Sequence, residues 1–393
     1  MNIAFVHDTK KISTGAHYIN DLIAAKLKAH GVTVKNFYPK MNLIDSPYQL
    51  KGLQNILFFY SLLEQREKIL KCDLIQGTTY TPLTFLAFPI PVICHFGSTT
   101  SGFLSSTPRA NFLSRETKKI WYLLKKEGVI KELNIKTRRP LRDIAEIENY
   151  VASKVDAVIA VSKKVKDELV GQKITEEKIE VIHNAIEDFW FEQKHGGEME
   201  SPRIVFLGRI GNDSFTLKMK GIDRLIQIYK RFDGIEKVTI GITTNEALSD
   251  YFREKISDHR LYVNIKKDEI PGILAPLGGS ILFISSRYEG FSLSMVEGMS
   301  QGLIPVVYPV GIAPEIIQNG VNGFIVNSQS EAESRIGDLL NSEQLRRKIS
   351  EAARETSRQF HSDIMTERFI KIFERVIEKN KKFKRRIIPI PAR

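Results

Sequence analysis

The sequence predicts an α/β fold made of two similar domains. Short apolar runs rich in Val and Ile alternate with amphipathic segments along the chain. Strands and helices that alternate in this way form parallel sheets covered by helices on both faces. The pattern restarts once, after a polar segment that contains Gly196 and Gly197, and 393 residues exceed what one hydrophobic core usually spans. Two domains of about equal size follow from these observations.

The apolar runs locate six strands in each half of the chain. They are residues 3–7, 33–37, 73–76, 91–95, 157–161 and 179–183, then 203–208, 237–243, 261–265, 280–284, 304–308 and 323–326. Helices are predicted at residues 20–30, 223–232, 294–302 and 362–379. Gly31 ends the first of these, because glycine is favoured just after a helix C-terminus. The last is amphipathic, so we expect it to pack on a domain surface.

These elements divide the chain into four parts. The first domain is residues 1–183, the linker 184–202, the second domain 203–360, and a C-terminal helix with a basic tail 361–393. Ligands of parallel sheets bind at the carboxyl ends of the strands. If the two domains face each other, their ligand-binding edges share one cleft.

The positive charge of the chain is concentrated in two segments. Residues 115–142 hold ten Lys/Arg and three Glu, and residues 379–393 hold seven Lys/Arg and no acid, so each carries +7 against a total of +12. Nucleic acid, an anionic membrane and a phosphorylated substrate are all admissible partners, as are two solvated basic faces. The first segment also contains Trp121 and Tyr122, a mixture suited to a membrane interface or to a packed helix.

Other classes of protein are disfavoured. The most apolar stretch, residues 83–94, has 12 residues and two prolines, whereas a membrane span needs roughly 20 apolar residues. No secretory signal opens the chain, and two cysteines form neither a disulfide framework nor a metal cluster. A reducing compartment is the simplest interpretation.

The segment most informative about chemistry is residues 287–306. It follows a predicted buried strand, and a glycine-bearing turn opens a helix near Ser292. The start of a helix offers backbone N–H groups and a positive dipole end to a phosphate or sugar oxygen. Glu289 precedes this start and Glu297 lies within the helix, so both carboxylates could accept hydrogen bonds from hydroxyls. A capped helix with two surface glutamates is the alternative.

This string resembles the Glu, seven residues, Glu signature of the family-four (group-one) retaining glycosyltransferases. The resemblance extends to residues 206–209 and 220–226, which are similar to the family's Gly-Arg and Lys-Gly elements, and to residues 156–162, 182–187 and 320–326. It implies the GT-B fold, in which two Rossmann-like domains face each other across a cleft.

The resemblance also implies roles for individual residues. Arg209 and Lys220 would contact the donor diphosphate, Glu297 the ribose hydroxyls, and Glu289 the transferred sugar. Gly208 belongs to the Gly-Arg element, and the N–H groups of Phe291, Ser292 and Leu293 would approach sugar and phosphate. Two cations suit a leaving group that gains negative charge.

Two candidates lie in the first domain. His95 follows the apolar run of a strand, where it could orient the transferred sugar, although a lone histidine is usually structural. Gly15 lets the backbone approach a ligand closely. The family usually has two adjacent glycines there and a glycine-rich turn where this chain reads residues 241–245, so base contacts at that turn are not carried over.

We therefore predict a retaining glycosyltransferase, with hexosyl transfer expected. The co-substrate is a UDP- or GDP-linked sugar, no other cofactor is expected, and the absence of an Asp-x-Asp pair predicts no metal. The acceptor is a glycan or a lipid-linked glycan in cell-surface synthesis. The expected location is cytoplasmic, peripheral on the inner face of the cell membrane. The alternatives are a GT-B epimerase or phosphorylase, or a non-enzymatic basic protein that binds nucleic acid, which the paired motifs make the weaker interpretation.

Overall fold

A computed structural model describes residues 1–10, 15–40, 51–134, 138–193, 201–211, 213–243 and 245–387. The chain divides into two compact units. The first unit takes the described residues within Met1–Thr100, Leu141–Ala185 and Ser362–Arg393, and the second takes those within Ser101–Pro140 and Ile186–His361. Each unit is built around one sheet.

The strands and helices are as follows. The strands are β1 (Asn2–Val6), β2 (Thr33–Phe37), β3 (Leu74–Thr78), β4 (Val92–Phe96), β5 (Ala157–Ala160), β6 (Ile179–Val181), β7 (Ile204–Ile210), β8 (Lys237–Thr243), β9 (His259–Val263), β10 (Ile281–Ile284), β11 (Ile304–Val307) and β12 (Phe324–Ile325). The helices are α1 (Gly15–Ala29), α2 (Lys51–Leu63), α3 (Arg66–Ile69), α4 (Thr100–Ser106), α5 (Arg115–Lys126), α6 (Arg138–Lys154), α7 (Lys163–Gly171), α8 (Ser214–Met219), α9 (Ile222–Arg231), α10 (Glu246–Lys255), α11 (Ile270–Leu274), α12 (Leu293–Ser300), α13 (Ala313–Ile316), α14 (Gln329–Asn341), α15 (Glu343–Ser357) and α16 (Ser362–Ile387).

Both sheets are parallel and six-stranded. The first unit has the order β2-β1-β3-β4-β5-β6 and the second has the order β12-β11-β10-β7-β8-β9. Strands such as β4, β5 and β10 are buried at every residue, as expected for strands covered on both faces. Every strand predicted from the sequence overlaps one of these, so the α/β prediction is confirmed.

The order of the second sheet places a topological switch point between β7 and β10. From β7 the chain runs outward through β8 and β9, and then returns to add β10, β11 and β12 on the other side of β7. The connections after β7 and β10 therefore leave in opposite directions. A crevice opens at such a point, and ligands of open α/β sheets bind there.

Two segments, which contain helices α5 and α16, belong to a different unit from the parts of the chain that flank them in the sequence. Helix α5 belongs to the second unit, where Trp121 is buried and the Lys218 ammonium lies 5.5 Å from the centre of its ring. Helix α16 belongs to the first unit, where Lys26 Nζ lies 3.0 Å from Asp363 Oδ1. The division of the chain at residues 184–202 stays a prediction, and residues 194–200 of that linker lie outside the described residues.

Helix α16 is longer than predicted, since it reaches Ile387 rather than residue 379. The apolar periodicity ends near Val376 and Ile377, but the Lys and Arg residues that follow are good helix formers. Of the helices described, none is both long and apolar enough to cross a membrane.

Candidate active site

The predicted donor-binding residues of the second unit gather at the switch point. Gly208 and Arg209 lie near the carboxyl end of β7, and Glu289 lies on the connection between β10 and α12. Lys220 ends helix α8, on the connection that leaves β7. The sheet topology therefore brings together residues that are up to 81 positions apart in the sequence.

Lys220 and Glu289 form an ion pair. The Lys220 Nζ and Glu289 Oε1 atoms are 2.6 Å apart, and the two side chains are 17% and 16% exposed. The Ser286 hydroxyl donates to the same carboxylate oxygen at 2.7 Å. The Glu289 carboxylate is thus held by two donors, and it neutralises the Lys220 ammonium at the crevice.

Gly221 makes this pairing possible. Its φ of +64° is in the left-handed region, and a Cβ atom there would lie 1.9 Å from the Ser285 carbonyl oxygen. The Ser285 hydroxyl in turn donates to the Lys220 carbonyl at 2.7 Å. The glycine after Lys220 therefore lets the end of α8 rest directly on the connection that carries Glu289.

The connection into α12 is strained and is held from outside. Ser292 has a φ of +87°, which is uncommon for a residue other than glycine, and its buried Oγ has no hydrogen-bond partner among the described residues. Ile312 N–H donates to the Phe291 carbonyl at 3.0 Å. A Cβ atom at Gly311 would lie 2.2 Å from the same carbonyl oxygen. Strain of this kind is concentrated at functional sites.

Phe291 and Leu293, which flank Ser292, differ in exposure. The Phe291 side chain is buried and packs edge-on against Phe360, with ring centres 5.7 Å apart, whereas Leu293 is half-buried at the first position of α12. Phe291 therefore anchors the turn.

Glu297 belongs to a buried charge cluster that sequence reasoning missed. The Lys267 ammonium lies 3.2 Å from Glu297 Oε1 and 2.5 Å from Glu187 Oε1. Trp190 Nε1 donates to the other Glu187 oxygen at 3.1 Å. One cation thus sits between two carboxylates.

The protonation of this cluster depends on Lys267. Burial raises the pKa of Glu297 above its usual value, the Lys267 ammonium opposes that shift, and the Glu187 carboxylate adds to it. Burial alone would lower the pKa of Lys267, but the two carboxylates outweigh it, so the pKa of Lys267 is raised. Lys267 is therefore charged, and it is the group that favours the ionised form of Glu297.

Arg209 differs from the other cations of the site because it is exposed. Its side chain makes no hydrogen bond or ion pair with any residue that the structure describes. At the neighbouring Gly208, a Cβ atom would make only ordinary contact with the Phe206 ring, at 3.6 Å. The fold itself therefore does not require glycine at this position.

His95 lies in the first unit, within β4, and its side chain is 3% exposed. Its ring packs edge-on against Phe369 of α16 with centres 5.5 Å apart, and its Nε2 has no partner among the described residues. Burial lowers the pKa of His95 to about 4, so the imidazole is neutral near pH 7. Gly15 begins α1, while residues 11–14 before it lie outside the described part.

Within the described ranges, no group of three or more His, Cys, Asp or Glu side chains is arranged to hold a metal ion. The prediction that no metal is needed stays a prediction.

The fold and the site define a two-domain α/β protein of the GT-B class. Residues 188–356 match the family model for group 1 glycosyl transferases, and residues 26–188 match the model for glycosyltransferase family 4. The two matches are adjacent and together cover most of the chain. The chain belongs to the group 1 glycosyltransferases.

Individual relatives are distant. An uncharacterized 41.2 kDa protein in the cps region of Klebsiella pneumoniae is 26% identical over 240 residues, which are 58% of this chain and 64% of that protein. The chain spans only 57% to 64% of the length of this and the next two curated relatives.

Two solved structures share the fold at low identity. Sucrose-phosphate synthase from Thermosynechococcus elongatus matches with a TM-score of 0.74 and 13% identity, over 96% of this chain and 100% of that one. HepE from Anabaena, solved with UDP and glucose, matches with a TM-score of 0.65 and 17% identity, over 95% and 99%.

Proposed function

We propose that this protein is a retaining glycosyltransferase that moves a hexosyl group from a UDP- or GDP-linked sugar to an acceptor hydroxyl. The observation that carries the proposal is the Lys220–Glu289 pair at the switch point of the second sheet, with the exposed Arg209 at the end of the adjacent strand. Family membership supports it, as does the UDP and glucose bound to the Anabaena neighbour.

In this proposal two cations stabilise the leaving group. The bond between the sugar and the diphosphate breaks in the transition state, and negative charge grows on the phosphate oxygens. Arg209 and Lys220 would provide positive charge at that point, and Lys220 is already held in position by Glu289. The pair with Glu289 keeps Lys220 in place before the donor arrives, and Glu289 can then accept a hydrogen bond from a sugar hydroxyl.

Glu297 would hold the nucleoside. A carboxylate has two acceptor oxygens, and the two ribose hydroxyls are donors that match them. The positive charge of Lys267 would favour the ionised form of Glu297. A protonated carboxyl would lose part of this acceptor capacity. The main-chain N–H groups of Phe291, Ser292 and Leu293 are proposed to approach the sugar and phosphate oxygens, and Gly208 and Gly15 to let the backbone approach the donor.

Retention of configuration would follow if the acceptor attacks the face that the leaving group vacates. The acceptor oxygen forms the new bond to the anomeric carbon, the bond to the phosphate oxygen breaks, and the acceptor proton passes to that phosphate oxygen. These bond changes and this proton transfer are complete without a covalent enzyme intermediate. We propose that the neutral His95 imidazole orients the transferred sugar through Nε2.

The experiment combines donor screening with product analysis. A thermal-shift screen of nucleotide sugars should identify one donor, because a ligand at 100 times its Kd stabilises the protein by ~2.7 kcal/mol. NMR of the product made from that donor should then show a glycoside whose anomeric configuration matches the donor. An epimerised nucleotide sugar, a glycosyl phosphate or an inverted glycoside would each contradict the proposal, and so would salt-dependent binding of RNA or DNA with no affinity for any donor.

The same assay tests metal independence. We expect transfer to continue in a chelator, and replacement of Arg209 by Met to raise the barrier by about 2–4 kcal/mol, as for other preorganised charges. Activity that EDTA abolishes and that magnesium or manganese restores would contradict this part of the proposal.

A further inference from the structure

A second concave site lies in the same unit, beside the candidate donor site. It is a cavity of about 430 Å³, lined among others by Arg224, Arg287, Tyr308, Ser106 and Asn327. Its volume falls in the range of small-molecule sites, which is about 300–1,000 Å³. Ser286 also lines it, and this is the residue whose hydroxyl donates to Glu289.

One of its two arginines is neutralised. Arg287 forms two parallel hydrogen bonds with Asp223, at 2.7 and 2.6 Å, and it also donates to the Lys218 carbonyl at 2.8 Å. Asp223 is 1% exposed, so its charge is committed to this bidentate pair. Arg287 therefore lines the cavity without adding net charge to it.

The other arginine has no carboxylate of its own. The Arg224 guanidinium lies 3.7 Å from the centre of the Tyr308 ring and makes two long hydrogen bonds of 3.3 Å to the Ser285 and Ser286 carbonyls. No Asp or Glu among the described residues forms an ion pair with it. Burial and the nearby Arg287 both lower the pKa of Arg224, the direction expected for a desolvated cation beside another cation.

The cavity therefore combines one uncompensated cation with neutral donors. The Ser106 hydroxyl and the Asn327 amide supply donors around it, whereas the Ser286 hydroxyl is already used by Glu289. A half-buried cation without an anionic partner is costly, and an oxyanion would supply that partner. A planar guanidinium with several further donors suits a phosphate group, whose oxygens accept from several directions.

We infer that this cavity is a phosphate-binding subsite that holds a phosphate ester carried by the acceptor. The binding of phosphate to this cavity does not depend on the proposed function. The assignment of that phosphate to the acceptor does rest on the proposed function. The same chemistry is offered by a phosphorylated sugar and by a lipid phosphate, so the source has to be distinguished by experiment.

The experiment measures binding to the full chain by calorimetry. The probes are inorganic phosphate, glucose 6-phosphate, and phosphatidylcholine vesicles with and without phosphatidic acid. The variants are Arg224→Met, which removes the cation, and Ser106→Asp, which adds a repelling carboxylate at a half-exposed position. Arg231→Met is the matched control, because Arg231 is on the same helix and 67% exposed.

We expect one saturable phosphate site per chain. Both Arg224→Met and Ser106→Asp should weaken it at least about tenfold, which corresponds to ~1.4 kcal/mol, while Arg231→Met should leave it unchanged. Tighter binding of glucose 6-phosphate would identify a soluble acceptor. Tighter binding of the phosphatidic acid vesicles would identify a lipid-linked one only if Arg224→Met and Ser106→Asp both weaken it, because the basic surface of the protein also attracts anionic vesicles.

Two results would overturn the inference. One is phosphate binding that Arg209→Met abolishes and Ser106→Asp does not alter, because the anion would then occupy the donor site. The other is no phosphate binding to a protein that still binds UDP or GDP. Phosphate binding at the cavity without any nucleotide binding would instead support the subsite and contradict the proposed function.

Discussion

Lys267 is part of the candidate site although no sequence motif identifies it. Its ammonium contacts both Glu297 and Glu187. The pKa of Glu297 is already raised by burial, and removal of the opposing cation would raise it further. The ionised fraction of Glu297 near neutral pH is therefore controlled by a residue 30 positions earlier in the chain.

We predict that Lys267→Met weakens nucleotide binding in a pH-dependent way. In the native protein, affinity for UDP or GDP should fall as the pH drops through the raised pKa of Glu297, since protonation removes an acceptor. In the variant this fall should begin at a higher pH, and affinity near neutral pH should drop about tenfold, or ~1.4 kcal/mol. Calorimetry across the pH range measures the affinity of each protein for the nucleotide. The control is the exposed neighbour, Lys266→Met, and identical pH profiles for the two variants would exclude this role.

Some residues of the site belong to a sequence motif, and others are brought to it only by the fold. The sequence motif located Lys220, Glu289 and Glu297, and the structure places the first two in contact. Lys267 could not be found in that way, because a contact between segments that are remote in the chain leaves no periodic signal in the sequence. The buried position of Trp121 was equally hidden, because its partner Lys218 is remote in the chain.

At the scale of elements, two glycines hold the connections of the site in place. Gly221 lets the end of α8 approach the connection after β10, and Gly311 lets the connection after β11 approach Phe291. Both have positive φ, and a side chain at either would meet a carbonyl oxygen. The positions of these connections therefore depend on backbone approach as well as on side-chain packing.

We predict that Gly221→Ala both destabilises the protein and lowers transfer. The left-handed conformation alone costs a residue with a Cβ about 1–2 kcal/mol, and the close Ser285 carbonyl adds to it. Gly234→Ala is the matched control, because Gly234 has a φ of +81° with no atom within 4 Å of the added Cβ. Denaturant unfolding and turnover should be measured for both. If the two variants lose equal stability and neither changes turnover, the close contact between Gly221 and the Ser285 carbonyl is unimportant.

The strands were the part of the fold most readily predicted, because fully buried parallel strands are continuous apolar runs. The assignment of helices to units was harder. Apolar periodicity identified α16 as an amphipathic helix, but not that it packs with α1 in the first unit. Periodicity reports which face of a helix is apolar and says nothing about which apolar surface will cover it.

At the scale of the whole molecule, positive charge is concentrated in the two basic segments. In the described part of the first, Trp121 is buried, so it is not available to a membrane. Tyr122 is 60% exposed and Phe112 is 79% exposed, and Lys119, Lys125 and Lys126 are exposed on α5. Residues 135–137 and 388–393 of the two segments lie outside the described part. Tyr122, together with Phe112 just before the segment, is therefore the exposed aromatic surface that a membrane could contact.

We predict reversible binding to anionic vesicles that weakens as salt is added. Each cation near an anionic surface contributes ~1 kcal/mol, and salt screens the attraction. Co-sedimentation with neutral and anionic lipid at low and high salt measures it, and Lys125→Glu with Lys126→Glu should reduce it. Arg347→Glu with Lys348→Glu, at two exposed positions of α15, is the charge-matched control. Equal binding to both lipids would indicate that charge is not the cause.

The measurement that tests the central claim most directly compares Glu289→Gln with Glu297→Gln. For the native protein and both variants, the Kd of the nucleotide and the single-turnover rate of transfer should be measured together. We predict that Glu297→Gln weakens nucleotide binding at least about tenfold, and that Glu289→Gln leaves it within about twofold but lowers the rate on the order of a hundredfold. Unchanged binding and unchanged rate in both variants would contradict the assignment of this site.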